Sequence, residues 1–320
     1  MKLYPLQFQP ILKERIWGGT KLKAYLNKPI SSEITGESWE ISTVDNDVSV
    51  VANGDLKGKS LKELVNEFPE ALLGKKAYQQ FGKQFPLLFK YLDAQKDLSI
   101  QVHPNDKLAK ERHHSFGKTE MWYVMQADEN AKLILGFKEK SSPKKFIDSV
   151  NNKALLSSLN SKIVKKGDAF FLETGTVHAI GAGTLIAEIQ QTSNITYRIY
   201  DYDRVDVNGN KRELHLDLAL DAINYNVVET QKHYRKETNV SNEIVNCQFF
   251  TTNIIPLDGN IKIEKNGQSF TVYMCVEGNF ELEFDTMIYA YKTGDTVLIP
   301  AEMTAFELSG KASVLEIYIS

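Results

Sequence analysis

The sequence is nearly free of cysteine. Its two cysteines, Cys247 and Cys275, both lie in the last quarter of the 320 residues. So small a number argues against a disulfide scaffold and against a metal site built from several thiolates. We therefore expect a protein of the cytosol, where disulfides are rare.

Long apolar runs and basic clusters are also missing. No apolar stretch approaches the length that spans a membrane, and the first residues, MKLYPLQFQP, show no basic segment followed by an apolar run. The net charge is −3, with acids and bases interspersed. We expect a cytoplasmic globular protein with neither a membrane nor a nucleic-acid partner. An anionic small molecule would have to be held by a few lysines and arginines concentrated in one pocket.

Helical patterns are few. Four segments predict helices, namely 60–74, 104–114, 141–159 and 216–225. The first begins with a capping box formed by Ser60 and Glu63, and Asp217 is expected to cap the last. The remaining chain consists mostly of short strand-like stretches separated by Gly, Asn and Asp. Many short strands with few helices favour a mainly β fold, either a sandwich or a barrel.

A weak internal repeat connects two distant parts of the chain. Residues 165–180, KKGDAFFLETGTVHAI, resemble residues 292–308, KTGDTVLIPAEMTAFEL. Both copies contain Gly-Asp, an apolar strand and a turn, although His178 of the first copy aligns with Ala305 of the second. The repeat predicts two related β units, but two unrelated hairpins would give the same weak pattern.

The repeat suggests how the chain is divided. We expect one unit at residues 1–235 and a degenerate β unit at residues 236–320. The polar stretch 226–246 is the candidate linker between them. Residues 247–320 contain no histidine, so we expect the second unit to hold no metal.

One predicted strand carries polar residues along a single face. In the stretch DLSIQVHPND, Ser99, Gln101 and His103 alternate with Ile100 and Val102. Alternate side chains of a strand share a face, so a hydroxyl, an amide and an imidazole point the same way. A second motif offers an explanation for this row.

The second motif includes the first copy of the repeat. The spacing Gly-Asp-x6-Gly-x2-His, which ends at His178, resembles the second motif of the cupin superfamily. Cupins are small β-barrels that commonly hold a metal, and their first motif supplies two ligands one residue apart on a strand, followed by a glutamate. The resemblance implies two cupin-like, jelly-roll barrels with a small helical embellishment, and a metal inside the first barrel. The implied metal ligands are Gln101, His103, Glu120 and His178. Two nitrogen and two oxygen donors suit Zn²⁺.

Six stretches together resemble the class I mannose-6-phosphate isomerases in their short bacterial form. They are FQPILKERIWGG, TGESWEIS, LSIQVHPND, GKTEMWYV, GTVHAIGAG and TYRIYDYDR, and the resemblance covers most of residues 5–225. Each stretch alone is a weak signal, but their order and spacing are specific. The resemblance implies an isomerase that interconverts D-mannose 6-phosphate and D-fructose 6-phosphate by proton transfer between C1 and C2 through an enediol(ate). It also implies one Zn²⁺ per chain.

The family's site residues correspond to further positions of this chain. The resemblance implies catalytic roles for Arg198, Lys118 and Glu188, and substrate-binding roles for Lys90, Ser99, Arg204 and Trp17. Lys118 and Glu188 are both candidates for the base, and Glu188 is equally expected to orient a ligand histidine. Longer members often read His-Lys-Pro-Glu where this chain reads Gly-Lys-Thr-Glu at 117–120. A histidine assigned to proton transfer there cannot act here.

Two other functions fit parts of the pattern. An iron-dependent oxygenase or another sugar-modifying cupin would use similar ligands, but such sites typically carry His-x-His where this chain has Gln101. A non-catalytic sugar sensor would need a DNA-binding or partner-binding appendage, and it leaves Lys118 and Arg198 without a role. The isomerase is therefore the favoured hypothesis. The sequence makes no prediction about the oligomeric state.

Overall fold

A computed structural model of the protein describes residues 2–205 and 209–320. Its strands are β1 (Ile11–Gly19), β2 (Thr35–Ile41), β3 (Thr43–Val44), β4 (Asp47–Val48), β5 (Leu87–Ala94), β6 (Ile100–Val102), β7 (Glu120–Ala127), β8 (Lys132–Phe137), β9 (Leu159–Ile163), β10 (Ala169–Leu172), β11 (His178–Ile180), β12 (Thr184–Gln191), β13 (Tyr197–Tyr200), β14 (Gln231–Lys232), β15 (Asn242–Asn246), β16 (Thr251–Glu264), β17 (Thr271–Phe284), β18 (Met287–Lys292), β19 (Thr296–Ile299) and β20 (Ala305–Tyr318). Its helices are α1 (Lys21–Leu26), α2 (Leu61–Glu67), α3 (Pro69–Leu73), α4 (Lys75–Phe81), α5 (Asp106–His113), α6 (Pro143–Asn151), α7 (Leu155–Ser158) and α8 (Leu216–Ala222). In the part of the chain that the structure describes, none of these helices could cross a membrane.

Three sheets with antiparallel pairing make up most of the structure. The first has seven strands in the order β1-β2-β5-β12-β7-β10-β14, and the second has five in the order β13-β6-β11-β8-β9. The third has six strands, β15-β16-β20-β17-β18 with β19 paired to β17. The prediction of a mainly β fold with jelly-roll-like units and a small helical part is confirmed. Within the described residues the sheets stay open rather than closing into hydrogen-bonded barrels, because facing sheets bury a core between them without closure.

The seven-stranded sheet is covered on both faces. One face packs against the five-stranded sheet through side chains such as Leu92, Trp122 and Leu133. The other face, which includes Phe89 and Met121, packs against the helices α2 to α4 and the third sheet. All residues of β5 and β12 are buried. Polar side chains on these strands therefore need partners inside the protein.

The helix predicted over 60–74 is divided in two. Its capping box is present, since the Ser60 hydroxyl accepts from the backbone N–H of Glu63 and the Glu63 carboxylate accepts from the backbone N–H of Ser60. The prediction of one continuous helix is wrong, because α2 ends at Glu67 and α3 begins at Pro69. Proline has no N–H to donate and fits the first turn of a helix, so a new helix starts there.

The predicted cap of the last helix is also wrong. His215 occupies the N-cap position of α8 without a side-chain hydrogen bond to the helix, and Asp217 lies inside the first turn. A carboxylate in the first turn still interacts favourably with the positive end of the helix dipole. Asp217 therefore supports the start of α8 by its charge and not as a cap.

The internal repeat corresponds to a shared turn. Gly167 and Gly294 have φ angles of +86° and +93°, a region in which a Cβ atom would be strained. The aspartates that follow them, Asp168 and Asp295, each accept a 2.9 Å hydrogen bond from the backbone N–H three residues earlier. Each turn then leads into a buried strand, β10 or β19. This common geometry favours two copies of one β unit over two unrelated hairpins.

The candidate linker 226–246 contains two short strands. They are β14, which pairs with β10 of the first sheet, and β15, which pairs with β16 of the third sheet. Both lie at the edge of a sheet, where strands are partly solvated, which explains the polar composition of the stretch. The division into units of residues 1–235 and 236–320 stays a prediction.

Replacing Leu298 by alanine tests the core between the first and third sheets. Leu298 is fully buried on β19 and exchanges two backbone hydrogen bonds of 2.9 Å with Leu6. The change should lower the free energy of unfolding by about 2–5 kcal/mol, because it leaves a cavity in a packed core. The matched control is Ile288→Ala, at a position on β18 that is 61% exposed. This change should alter the free energy of unfolding by less than about 0.5 kcal/mol. Urea denaturation followed by circular dichroism measures both, and equal stabilities would contradict this placement of Leu298.

Candidate active site

The strand β6, which carries Gln101 of the polar row, lies between two strands that carry further polar groups. His178 on β11 lies directly opposite Gln101, and Arg198 on β13 lies opposite the same residue from the other side. Opposite residues of antiparallel strands project from the same face of the sheet. The five-stranded sheet therefore presents Arg198, Gln101 and His178 side by side.

A buried cluster forms where this row meets the seven-stranded sheet. Glu120, the first residue of β7, joins His103 and His178 so that one ligand atom from each lies within 4.8 Å of the others. The Nε2 atom of His103 is 3.3 Å from Glu120 Oε1, and that of His178 is 3.6 Å from Glu120 Oε2. All three side chains are buried. The two sheets thus bring three metal-binding side chains together in the interior.

Main-chain carbonyls orient both histidines. His103 Nδ1 lies 2.9 Å from the carbonyl oxygen of Ile195, and His178 Nδ1 lies 2.8 Å from that of Thr176. A carbonyl only accepts hydrogen bonds, so each Nδ1 carries the proton and each Nε2 presents its lone pair to the cluster. Burial, followed by the charge of Lys118, lowers the pKa of His103 to about 3, and burial likewise lowers the pKa of His178. Both rings are therefore neutral, as metal ligands must be.

The cluster fits a divalent cation. Both carboxylate oxygens of Glu120 are buried and accept no hydrogen bond of good geometry from the described residues. The amide nitrogen of Gln101 lies 3.2 Å from Nε2 of His178, and exchanging its nearly equivalent amide atoms would turn the oxygen toward the same point. Two imidazole nitrogens, one carboxylate and one amide oxygen are suitable ligands for such an ion. The four side chains that the resemblance implies thus lie close together, and their role as ligands stays a prediction.

Lys118 lies against this cluster. Its Nζ is 2.9 Å from Glu120 Oε1 and 3.3 Å from His103 Nε2, as expected for residues on one face of the chain at 118–120. Burial opposes the charged form of the amine, but the carboxylates of Glu120 and Glu188 outweigh burial and raise the pKa of Lys118. Lys118 therefore carries a positive charge next to a buried carboxylate.

Glu188 is held by two other side chains. Its Oε1 accepts a 2.9 Å hydrogen bond from Trp122 Nε1, and its Oε2 accepts one of 2.9 Å from Lys90 Nζ. Lys90 also donates to Gln190 Oε1 at 2.7 Å. Burial, followed by the charge of Glu120, raises the pKa of Glu188. The ligand histidines are oriented by carbonyl groups, so Glu188 does not have the orienting role considered for it.

A cleft of about 480 Å³ opens beside the cluster. Seven of the residues singled out in the sequence line it, namely Trp17, Lys90, Ser99, Gln101, Lys118, Glu188 and Arg198. Gln101 and Lys118 contact the buried cluster and so connect it to the cleft. The guanidinium of Arg204 is bound elsewhere, since it donates to the carbonyl oxygen of Asp97 at 2.6 Å and pairs with Asp201.

Several lining residues were not foreseen. Glu37 and Arg212 both belong to the cleft. Glu37 accepts from Arg15 at 2.9 Å and from the Trp39 indole at 2.6 Å. Burial opposes its charged form, but Lys90 and Arg15 outweigh burial and lower the pKa of Glu37. The alternation along TGESWEIS places Glu37 on the face of Trp39 and was a usable signal, whereas no local pattern distinguishes Arg212.

Two family models match the chain. The catalytic domain of type I phosphomannose isomerase matches residues 5–137, and the cupin domain of mannose-6-phosphate isomerase matches residues 241–319. The mannose-6-phosphate isomerase ManA of Bacillus subtilis is 38% identical, over 98% of this chain and 99% of that protein. The mannose-6-phosphate isomerase of Streptococcus mutans is 36% identical, over 97% of each chain.

The similarity extends to three-dimensional structure. The crystal structure of the mannose 6-phosphate isomerase from Bacillus subtilis aligns with a TM-score of 0.90 and 35% identity, over 98% of this chain and 99% of that one. Sequence and structure therefore agree over nearly the full length of these relatives. The chain is an isomerase and belongs to the type I mannose-6-phosphate isomerase family.

Proposed function

We propose that this protein interconverts D-mannose 6-phosphate and D-fructose 6-phosphate by proton transfer between C1 and C2 through an enediol(ate). The observation that carries the proposal is the buried cluster of His103, Glu120 and His178 beside a cleft with charged walls. The names of the relatives described above support the choice of substrate. A cytoplasmic location is part of the same proposal.

Gln101, His103, Glu120 and His178 would hold one Zn²⁺ per chain. When bound, a divalent ion with one carboxylate ligand keeps part of its positive charge and polarises a substrate oxygen. The histidines enter this site as neutral ligands, already turned by their carbonyl partners. In the described residues this is the one group of three or more His, Cys, Asp or Glu side chains placed to hold a metal. We therefore propose one metal per chain.

The isomerisation needs a base that removes a proton next to a carbonyl group. Lys118 is our first candidate, because its Nζ lies beside the proposed ligands and its side chain lines the cleft. Glu188 is the second candidate, but both of its oxygens already accept hydrogen bonds from Trp122 and Lys90. A base must also be unprotonated, and a divalent ion held next to Lys118 would disfavour the charged form of its amine.

Arg198 is suited to neutralise charge that develops on a substrate oxygen. Its side chain lines the cleft, and its Nε is buried without a hydrogen-bond partner in the described structure. Two hydrogen bonds outside the cluster hold Arg198 in place. One terminal nitrogen of its guanidinium group donates to the carbonyl of Glu213, and its backbone N–H donates to the His215 ring. A donor held in place in this way needs little reorganisation when charge appears.

The remaining residues of the cleft would hold the sugar phosphate. Ser99 offers a hydroxyl next to the ligand row, and the buried Trp17 forms part of the wall. Lys90 would reach the substrate together with Glu188, to which it is bound. For Arg204 to contact the phosphate, it would have to leave the carbonyl of Asp97. Among the residues that the structure describes, no contact of the site favours the oxygenase or the sensor.

Removal of the metal should abolish isomerase activity, and Zn²⁺ should restore it. His178→Ala and Glu120→Ala should lose both metal and activity, because each change removes a direct ligand. His233→Ala, at an exposed position on the same unit, is the matched control and should keep both. Elemental analysis and a coupled assay for fructose 6-phosphate measure these outcomes. Full activity without metal, or two tightly bound metals per chain, would overturn this part of the proposal.

Arg198→Ala should keep its zinc and lose kcat by about 10²-fold or more, the scale of one preorganised charge-stabilising group. The control is Arg235→Ala, whose side chain is 85% exposed and pairs with Glu237 on the surface. Steady-state kinetics and metal analysis on both variants check the prediction. An Arg198 variant with the kcat of the natural protein would remove this residue from the chemistry.

Lys118→Met should fold, bind zinc and fail to exchange the C2 proton of mannose 6-phosphate with solvent. The physical reason is the loss of the only amine that lies against the cluster and also lines the cleft among the described residues. Deuterium incorporation followed by NMR measures the exchange. Glu188→Gln, which keeps the size of the side chain, should retain it. The opposite pattern would assign the base to Glu188.

A further inference from the structure

The cations of the cleft differ in how completely they are neutralised. Lys90 lies 2.9 Å from Glu188, and Lys118 lies 2.9 Å from Glu120. Arg15 lies 2.9 Å from Glu37. Each of these cations has its own carboxylate inside the site. A cation that is paired with a carboxylate at this distance attracts a further anion only weakly.

Two arginines of the cleft keep an excess of positive charge. Arg198 donates to a main-chain carbonyl, and its Nε is buried without a hydrogen-bond partner in the described structure. Arg212 pairs with Asp201, but the same carboxylate also pairs with Arg204. One carboxylate shared by two guanidinium groups leaves one positive charge at this place, while Arg198 has its own role at the reacting oxygen. This excess complements a phosphate monoester, which carries nearly two negative charges at neutral pH.

The geometry of Arg212 suits phosphate binding. Its Nε donates to Asp201 Oδ2 at 2.7 Å and one terminal nitrogen donates to Asp201 Oδ1 at 2.5 Å. This two-point contact fixes the plane of the guanidinium group and leaves its other terminal nitrogen uncommitted by the pair. A planar, fixed guanidinium group recognises phosphate oxygens better than a mobile ammonium group.

The groups that line the cleft follow an order from the proposed metal ligands to Arg212. Register places Arg198 next to Gln101 and Gln101 next to His178, so Arg198 follows the proposed metal ligands across the five-stranded sheet. The segment that follows Arg212 is held beside Arg198, which donates hydrogen bonds to Glu213 and His215. The acidic lining residues Glu14 and Glu37 belong to β1 and β2 and would repel a phosphate. In an open-chain hexose 6-phosphate the carbonyl group and the phosphate group are at opposite ends. Such a substrate matches a site with the proposed ligands and Arg198 for the carbonyl end and Arg212 for the phosphate end.

We propose that Arg212 binds the phosphate group of the substrate and that Asp201 is its positioning residue. The inference rests on the proposed function, because it assigns a place to the phosphate of the sugar phosphate. It names a residue outside the set drawn from the sequence, in which Arg204 had this role. Arg204 instead supports the position of Asp201, because it pairs with that carboxylate and also donates to the carbonyl of Asp97.

Binding of inorganic phosphate to the zinc-loaded protein, measured by calorimetry, tests the proposal without turnover. Arg212→Gln should weaken phosphate binding by about 10- to 100-fold, the loss expected for a hydrogen-bonded charged contact. KM for mannose 6-phosphate should rise by a similar factor, with kcat within about threefold of the natural value. Arg212→Lys keeps the charge and should recover part of the phosphate affinity. This variant also provides the test if Arg212→Gln folds poorly.

Two further variants separate position from charge. Lys211→Gln removes a neighbouring positive charge whose side chain is 63% exposed and paired with Asp203, and it should leave phosphate binding unchanged. Asp201→Asn makes the region more positive but releases Arg212. Long-range charge alone predicts tighter phosphate binding in this variant, whereas the positioning role predicts weaker binding and a raised KM at unchanged kcat.

The outcomes distinguish this inference from the proposed function. If Arg212→Gln kept the phosphate affinity and the KM of the natural protein, the inference would be overturned while the isomerase stayed in place. The same holds if the loss of phosphate affinity appeared in Arg204→Gln instead. Phosphate binding that depends on Arg212 in a protein that does not isomerise mannose 6-phosphate would overturn the proposed function and support the phosphate site.

Discussion

The site is built around a carboxylate that is buried between two sheets. Glu120 is 1% exposed, and nothing in the described structure gives its oxygens a hydrogen bond of good geometry. A buried charge is costly unless opposite charge or a metal compensates it. Burial opposes the charged form of Glu120, but the charge of Lys118 is the main influence that outweighs burial and lowers its pKa well below the usual range. The facing sheets, the neutral imidazoles and the flanking lysine are all arranged around this one group.

Much of the site could be predicted from the sequence because its residues occur in short local patterns. Alternation on one strand places Gln101 beside His103, and a turn motif with fixed spacing contains His178. The pairing of Lys90 with Glu188 could not be predicted in this way. These residues lie directly opposite each other on β5 and β12, nearly one hundred positions apart in the chain. Alternation indicates the face of a residue, but not which strand becomes its neighbour.

The same limit explains part of what the sequence did not reveal about the fold. The broken helix at Pro69 is an exception, because it follows from a local rule and the sequence did contain the signal. The strands inside 226–246 did not resemble strands, because their partners β10 and β16 cover only one side of them. Arg212 follows a stretch without apolar periodicity, and its pairing with Asp201 helps to hold it at the cleft. Tertiary pairing, more than propensity, decided these last two placements.

The carbonyl groups that orient the two histidines belong to the main chain of Ile195 and Thr176. Every amino acid carries such a carbonyl, so the orientation of the ligands depends on the path of the backbone and not on which side chains occupy those two positions. The identity of the side chain is limited instead by packing, since Thr176 is buried and Ile195 lies against the core. For protein engineering, side chains of similar size can therefore be exchanged at these two positions without loss of the carbonyl partners, while insertions and deletions in the loops must be avoided.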